Sequence, residues 1–308
     1  MAGQVGWKSE STWGTAVVVD TFAPVLNANL SIDEGYMLPA GIRGGRYTRG
    51  VATLGRRTIT GSTTLELPNK SIASKFKHMF GSVSTTGAGP YEHTFTPGSV
   101  ASLSQTEQVG IEDTAGTVNP FTLSGVKMGS WTLSCTVGEY AQLSYDYTAK
   151  DAVTATALAT ASYTSGLTPF TFVHGSVTVD GTAVASANAV TLSASKNLKD
   201  DRHVLGSRLI REQLNQDFYD FTTEITADFD NLTLFNIIAA GSEVASVLTF
   251  DNGTDDLVIT CNGQVVGDAP SLTNTGIESQ TIRLEHGSGT SDAATVTAVL
   301  TNTDVTAA

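Results

Sequence analysis

The chain has 308 residues, 40% of them apolar and only 15% charged, and thirty Asp/Glu against seventeen Lys/Arg give it a net charge of −13. That length is enough for one large domain or two ordinary ones with a buried core, and the acidic balance excludes a protein that grips nucleic acid, which needs Lys and Arg to neutralise phosphates. It also lacks a run of about 18 apolar residues to span a membrane, an apolar core in its opening MAGQVGWKSE for an export signal, and more than two cysteines, Cys135 and Cys261, which read as small buried residues.

In chain order, residues 1–21 are polar and irregular, and carry Trp7 and Trp13. They read either as an arm that docks on a partner or as a segment packed on its own domain. Residues 22–38 read as strand. Residues 41–57, GIRGGRYTRGVATLGRR, lack apolar periodicity and read as a long loop or hairpin. A strand and a helix follow over 58–81. Residues 82–118 read as loop-rich. Over 119–148 a pair of strands is predicted, because Trp131, Leu133, Cys135 and Val137 alternate with Thr132, Ser134 and Thr136. Residues 149–168 are small and polar and read as a linker. Two strands around Asp180-Gly181 come next, then a strand over 187–200 and a basic loop at 196–211. A second strand and helix occupy 218–241, two strands flank Asn262-Gly263, and a short strand at 294–300 precedes a polar tail.

The two strand–helix segments are a repeat about 160 residues apart. Residues 58–81 read TITGSTTLELPNKSIASKFKHMFG and residues 218–241 read FYDFTTEITADFDNLTLFNIIAAG. Each opens on a period-two alternation, breaks at Pro68-Asn69 or Asp230-Asn231, and enters an apolar run with helical spacing. Ile72, Phe76 and Phe80 mark one helix; Leu232, Phe235, Ile238 and Ala239 mark the other. Each ends on a glycine, Gly81 or Gly241, where a helix cap wants positive φ. Each is preceded by a basic loop. The expected organisation is therefore an N-terminal arm at 1–21, a first unit at 22–148, a linker at 149–168 and a second unit at 169–308.

Sites for chemistry are absent from the text. The five histidines are scattered and none has zinc-ligand spacing. Ser74-x-x-Lys77 and Ser193-x-x-Lys196 lack companion motifs. No phosphate-binding loop or nucleophile elbow occurs. Asp251, Asp255 and Asp256 surround Asn252-Gly253, which reads as a hairpin turn rather than a calcium loop. No cofactor or metal is expected, and an enzyme is not.

The strands themselves say more. Asp220, Thr222, Glu224, Thr226 and Asp228 point one way, while Phe221, Thr223, Ile225, Ala227 and Phe229 point the other. In the first copy Thr58, Thr60, Ser62, Thr64 and Glu66 share a polar face opposite Ile59, Thr63, Leu65 and Leu67. Such a face is either an ordinary solvated surface or the lining of a pore through which a polyanion slides. Duplex DNA carries about one charge per 1.7 Å of axis, so a basic lining would trap it, whereas a carboxylate lining repels it evenly. Charge is also graded along the chain. Residues 1–81 hold nine Lys/Arg and five Asp/Glu, and residues 217–308 hold one and fourteen. That asymmetry suits head-to-tail association.

The opening VGWKSESTWGTAVVVDTFAPVLNANLSIDEGYMLPAGIRGGR resembles the start of the major tail tube proteins of long-tailed (siphovirus-like) bacteriophages, with the match at Gly6–Ala16 running through a strand into an Arg/Gly loop. Gly175–Gly181, the segment Asn197-Leu198-Lys199-Asp200-Asp201 and the strand–helix–Gly units resemble that family as well. The resemblance implies a mainly β fold: a β-sandwich or barrel subunit with short flanking helices, here duplicated, whose sheets join across subunits into one large β-barrel. It implies stacked rings around a DNA path, with a long loop and an N-terminal arm touching the next ring. Trp7, Trp13, Arg43, Arg46, Arg49, Arg56 and Arg57 are the expected inter-ring contacts. Thr58, Thr60, Ser62, Thr64, Glu66, Asp220, Thr222, Glu224, Thr226 and Asp228 are the expected lumen-facing set.

The expected partners are further copies of the chain, in trimeric or hexameric rings, and by resemblance the tape-measure and tail terminator or tip proteins, with transient passage of duplex DNA and no membrane. Rings in the family typically hold six tube domains, so three duplicated chains, or six undivided ones, would fill a ring; three are favoured. The expected place is the virion tail, after synthesis in the host bacterial cytoplasm. The alternatives are a contractile-injection or secretion-system tube, and a secreted β-rich surface protein.

Overall fold

The computed structural model describes residues 3–41, 44, 49–230, 232–240, 243–265, 279–287, 291 and 295–307. It is mainly β, and its antiparallel sheet does not close into a barrel. In chain order the strands are β1 (Gln4–Ser9), β2 (Thr21–Phe22), β3 (Asn27–Asp33) and β4 (Thr58–Glu66), followed by helix α1 (Ala73–Phe80). Next come β5 (Gly81–Thr86), β6 (Tyr91–Pro97), β7 (Gln105–Glu112), β8 (Val118–Thr136), β9 (Gln142–Ala149), β10 (Asp151–Val153), β11 (Gly175–Val179), β12 (Thr182–Ala183), β13 (Ala187–Ser195) and β14 (Asp220–Asp228). Helix α2 (Thr233–Ala240) precedes β15 (Glu243–Asp251), β16 (Asp256–Val265), β17 (Ser279–His286) and β18 (Val296–Asn302).

The strand–helix repeat is present, and it is longer than the sequence alone showed. Each copy runs strand, helix, hairpin: β4–α1–β5–β6 in the first half and β14–α2–β15–β16 in the second. Each pre-helix strand sits between the strand before it and one later in the chain. Thus β4 lies between β3 and β9, and β14 lies between β13 and β17. The two triplets join through β8, which pairs β9 on one side and β13 on the other. The result is one seven-stranded antiparallel layer, β3-β4-β9-β8-β13-β14-β17.

A second layer, β11-β15-β16-β18-β6-β5, packs against it, and the layers touch at one corner where β16 meets β17. Between them lies a core drawn from both halves, from Ile59 to Ala307. Alternation explains it: β14 buries Phe221, Thr223, Ile225 and Ala227, and β18 buries Val296, Ala298, Leu300 and Asn302. Helix α1 is the aromatic plug. Phe80 lies 5.4 Å from Trp131 and 6.2 Å from Phe221, centroid to centroid. It ends where Gly81 adopts φ 107° and donates its N–H to Lys77 O, a conformation that a Cβ would strain.

Several expectations are revised. Residues 82–118, read as loop-rich, contain β5, β6 and β7; their Ser/Thr-rich text hid the alternation that buries His93 and Phe95. Asn262-Gly263 does not turn the chain but lies inside β16. Gly263 is required there because a Cβ would come within 2.2 Å of Glu285 O on β17. The Asn252-Gly253 turn is a hairpin, with Asp251 Oδ1 accepting from Gly253 N at 2.7 Å and Asn252 Oδ1 from Asp255 N at 2.9 Å. On α2, Leu232 just before it and Ala239 are exposed, and Ile237 supplies the contact with the core. Asn231 and Gly241, and the side chain of Ile238, lie outside the described residues. Residues 149–168 are fastened along the body. There β10 pairs with β8, Asn69 holds Thr168, and Gln4 and Gln108 hold residues 157 and 159.

Candidate functional site

The seven-stranded layer has one face on the core and one face open. Register carries the open face from strand to strand: Asn29 faces Ser62, Ser62 faces Asp146, Asp146 faces Ser130, Ser130 faces Ser195, and Ser195 faces Asp220. Directly opposed residues in an antiparallel ladder project to the same side. The polar rows of β4 and β14 are therefore parts of one surface. Across it the side chains form hydroxyl and carboxylate ladders. Thr64 and Ser144 meet at 2.9 Å, Ser130 donates to Asp146 at 2.9 Å, and Thr226 and Thr281 meet at 3.2 Å.

This face holds seven carboxylates, Asp33, Glu66, Asp146, Asp220, Glu224, Asp228 and Glu285, all half-buried or exposed. Against them stands one cation, Arg283 on β17, opposite Glu224 and 3.7 Å from Glu285. Lys127, in register with Thr148, is buried, its ammonium bonded to Val100 O, Gln213 O and Glu212. The ten polar residues expected on the two strands, Thr58, Thr60, Ser62, Thr64, Glu66, Asp220, Thr222, Glu224, Thr226 and Asp228, all lie on this surface. The contribution of β3, β8, β9, β13 and β17 was missed, although alternation over 130–136 and 191–195 carried the signal. The outer edge of β3 and most of the outer edge of β17 have no strand beside them among the described residues.

The expected inter-ring set divides. Trp7 is fully buried in this chain, on β1, where its Nε1 donates to Ser74 Oγ at 2.9 Å. It serves the chain's own packing, because an indole flanked by Val5 and Val109 gains more by burial than by exposure. Trp13 is half-buried against Lys150, whose Nζ lies 4.7 Å from the ring centroid. Arg57 is paired within the chain, with Glu34 at 3.1 Å and with Asp151. Arg49 and Arg56 are exposed. Arg43 and Arg46 lie outside the described residues.

Behind the polar face, a buried ionic cluster fastens α1 and β1 to the sheet. Lys75 Nζ meets Glu107 Oε2 at 2.7 Å with neither side chain exposed, and stands 4.4 Å from the Trp7 ring and 4.6 Å from the Tyr145 ring. Thr63, Gln105 and Tyr145 also donate to Glu107. Burial lowers the Lys75 pKa, opposed by the Glu107 charge, and burial with Glu107 holds the Tyr145 hydroxyl well above its usual value. Lys196 is buried beside them, bonded to His78 O; burial and Lys127 bring its pKa down to about 7. Cys135 and Cys261 are free and buried, and burial raises the Cys261 thiol to about 12.

His286 at the end of β17 gives a pH test. It is buried, its Nε2 meets Thr223 Oγ1 at 2.6 Å, and burial lowers its pKa to about 4. Between the ordinary value and that one, the unfolded chain binds a proton the folded chain refuses, so stability falls as pH drops from 6.5 towards 4. The full loss from this group is about 3 kcal/mol. The thermal midpoint of His286→Gln is expected to fall less steeply over that window than that of the wild type, as read by circular dichroism. Parallel slopes would reject the assignment.

Among the described residues no group of three or more His, Cys, Asp or Glu is arranged to hold a metal, and no helix is long and apolar enough to cross a membrane. No curated protein matches the chain. The family described as phage tail tube protein matches residues 2–306. With that match covering nearly the whole sequence, and a mainly β body to go with it, the chain belongs to the phage tail tube protein family, a family of structural components of virion tails.

Proposed function

We propose that the chain assembles into stacked rings that form the tail tube, with the polar face of the seven-stranded layer lining a conduit for DNA ejection. The observation that carries this is the face itself: seven carboxylates to one arginine, on a sheet whose β3 edge and most of whose β17 edge are unpaired among the described residues. An open sheet edge is a liability that closure into a ring removes. A duplex sliding past such a wall meets hydroxyls and like charge, and no cluster of cations to hold it.

Three chains per ring suit the internal repeat, each half supplying one tube unit. Three seven-stranded layers give about 21 strands, beyond the roughly 16–18 of porins that already leave an aqueous channel. The same reading takes the tape-measure and the terminator or tip proteins as neighbours, and synthesis in the host cytoplasm before assembly. Negative-stain imaging of the purified protein tests it. Hollow tubes or annuli with threefold symmetry are expected. Sixfold symmetry of whole chains overturns the stoichiometry; a protein that stays monomeric at assembly concentrations overturns the function.

A further inference from the structure

The two long basic loops leave the same end of the polar sheet. Residues 34–57 connect Asp33 to Thr58, and residues 196–219 connect Ser195 to Asp220, positions that register places at one end of the layer. The second loop is a hairpin arm, with Leu198 bridged to Asn215 and Arg211 N bonded to Arg202 O. Just behind its tip it is braced on the first loop, Arg208 Nε donating to Gly55 O at 2.9 Å and its guanidinium pairing with Glu34. Its tip carries Leu205, 103% exposed, beside exposed Val204. Nothing among the described residues covers that leucine.

The opposite end of the sheet has the complementary features. A cleft of about 190 Å³ opens there, lined by Val137, Phe172, Val177, Ala185, Ala189 and Phe250 among others. The turn after β8 forms one wall, and Phe172 is tied to it through its N–H to Glu139 O at 3.1 Å. Val137, Tyr140 and Val173 are exposed around the mouth. Charge is also opposed. The two arms together hold ten of the seventeen Lys/Arg and five Asp/Glu. The far end holds Glu66, Glu139, Asp228 and Asp230 against Lys70 among the described residues of its turns.

We infer that the 196–219 arm is a stacking contact, its Val204–Leu205 tip seated in the apolar cleft of the next copy of this chain along the tube. This rests on the ring reading above and adds the specific segment and its receptor. Knob and cleft at opposite ends, with opposite charge, make a head-to-tail interface that repeats without limit. Burial of an exposed leucine in an apolar cleft supplies a favourable contact that the free arm lacks.

The test uses the full chain. Leu205→Asp and Val137→Asp both change exposed side chains, so circular dichroism and the thermal midpoint should match the wild type. Each is expected to cut tube yield at least tenfold in sedimentation, leaving rings or short stacks. Unchanged elongation of Leu205→Asp overturns the docking and leaves the ring reading standing. A wild type that never leaves the monomer overturns both. With Cys135→Ser removing the native thiol that also lines the cleft, joining Leu205→Cys to Val137→Cys should give, on mild oxidation of tubes, a ladder of covalent multimers that neither single variant gives. Covalent dimers from Leu205→Cys alone, where one thiol per chain can form one bond, would mean that arms meet arms, and would also overturn the proposal.

Discussion

Replacement of Glu107 by alanine is expected to destabilise the chain by about 3–5 kcal/mol, because it strands an ammonium in the core. Lys75 has no exposed surface, and Glu107 is its only carboxylate partner among the described residues. The same truncation removes the acceptor of Thr63, Gln105 and Tyr145, so three further donors lose a partner. The midpoint of guanidinium unfolding, followed by Trp fluorescence on the unassembled chain, measures this directly.

The pair is not thereby a net source of stability. Desolvating two charges costs as much as their attraction returns, and well-packed apolar replacements of such pairs are often neutral or stabilising. Lys75→Met with Glu107→Leu is therefore expected to recover most of the loss seen with Glu107→Ala. A double variant as unstable as the single one would show that the hydrogen bonds to Tyr145 and Thr63, rather than the buried charge, dominate. What the pair provides in either case is position. It fixes α1 and β1 against the reverse side of β4 and β9, the strands whose front carries Ser62, Thr64 and Asp146.

The parts of this fold legible from sequence were those with strong local signals. Alternation in 58–66 and 220–228 set both strands and both faces, since a one-residue slip would have put Phe221 and Ile225 in water. Gly81 marked the end of α1 because only positive φ allows the turn there. What could not be read was long-range. Nothing local at Ser130, Ser193 or Asp146 says that β8, β9 and β13 bring the two repeats into one sheet; that depends on pairing across the junction of the halves. Trp7 stands in a largely polar stretch of sequence, while its neighbours in space include Val109 from β7 and Ser74 and Lys75 from α1. Arg57 looked available for the same reason, and Asp151 from the supposed linker holds it. Sequence separation, not weak chemistry, hid these contacts.

Replacement of Glu224 and Asp228 by lysine together is expected to leave tube assembly intact and to slow genome delivery by about tenfold or more, because on the proposed placement cations then face the duplex. Glu224 is exposed and Asp228 half-buried on the open face, and neither forms an ion pair among the described residues. The change leaves five carboxylates and three cations where there were seven and one. In the proposed tube each lysine near the DNA path neutralises a phosphate and releases a counterion, and the contacts recur in every chain of every ring, so small local attractions add along its length. Two controls separate charge from shape. Glu224→Gln with Asp228→Asn removes repulsion without adding attraction and should slow delivery far less. Raising ionic strength during ejection should restore the lysine variant towards wild-type rates, since attraction of this kind weakens steeply with salt. Ejection kinetics from purified virions, read by DNA release, measure all three. Wild-type rates in the lysine variant at low salt would place these side chains away from the DNA path and return the polar face to ordinary solvent.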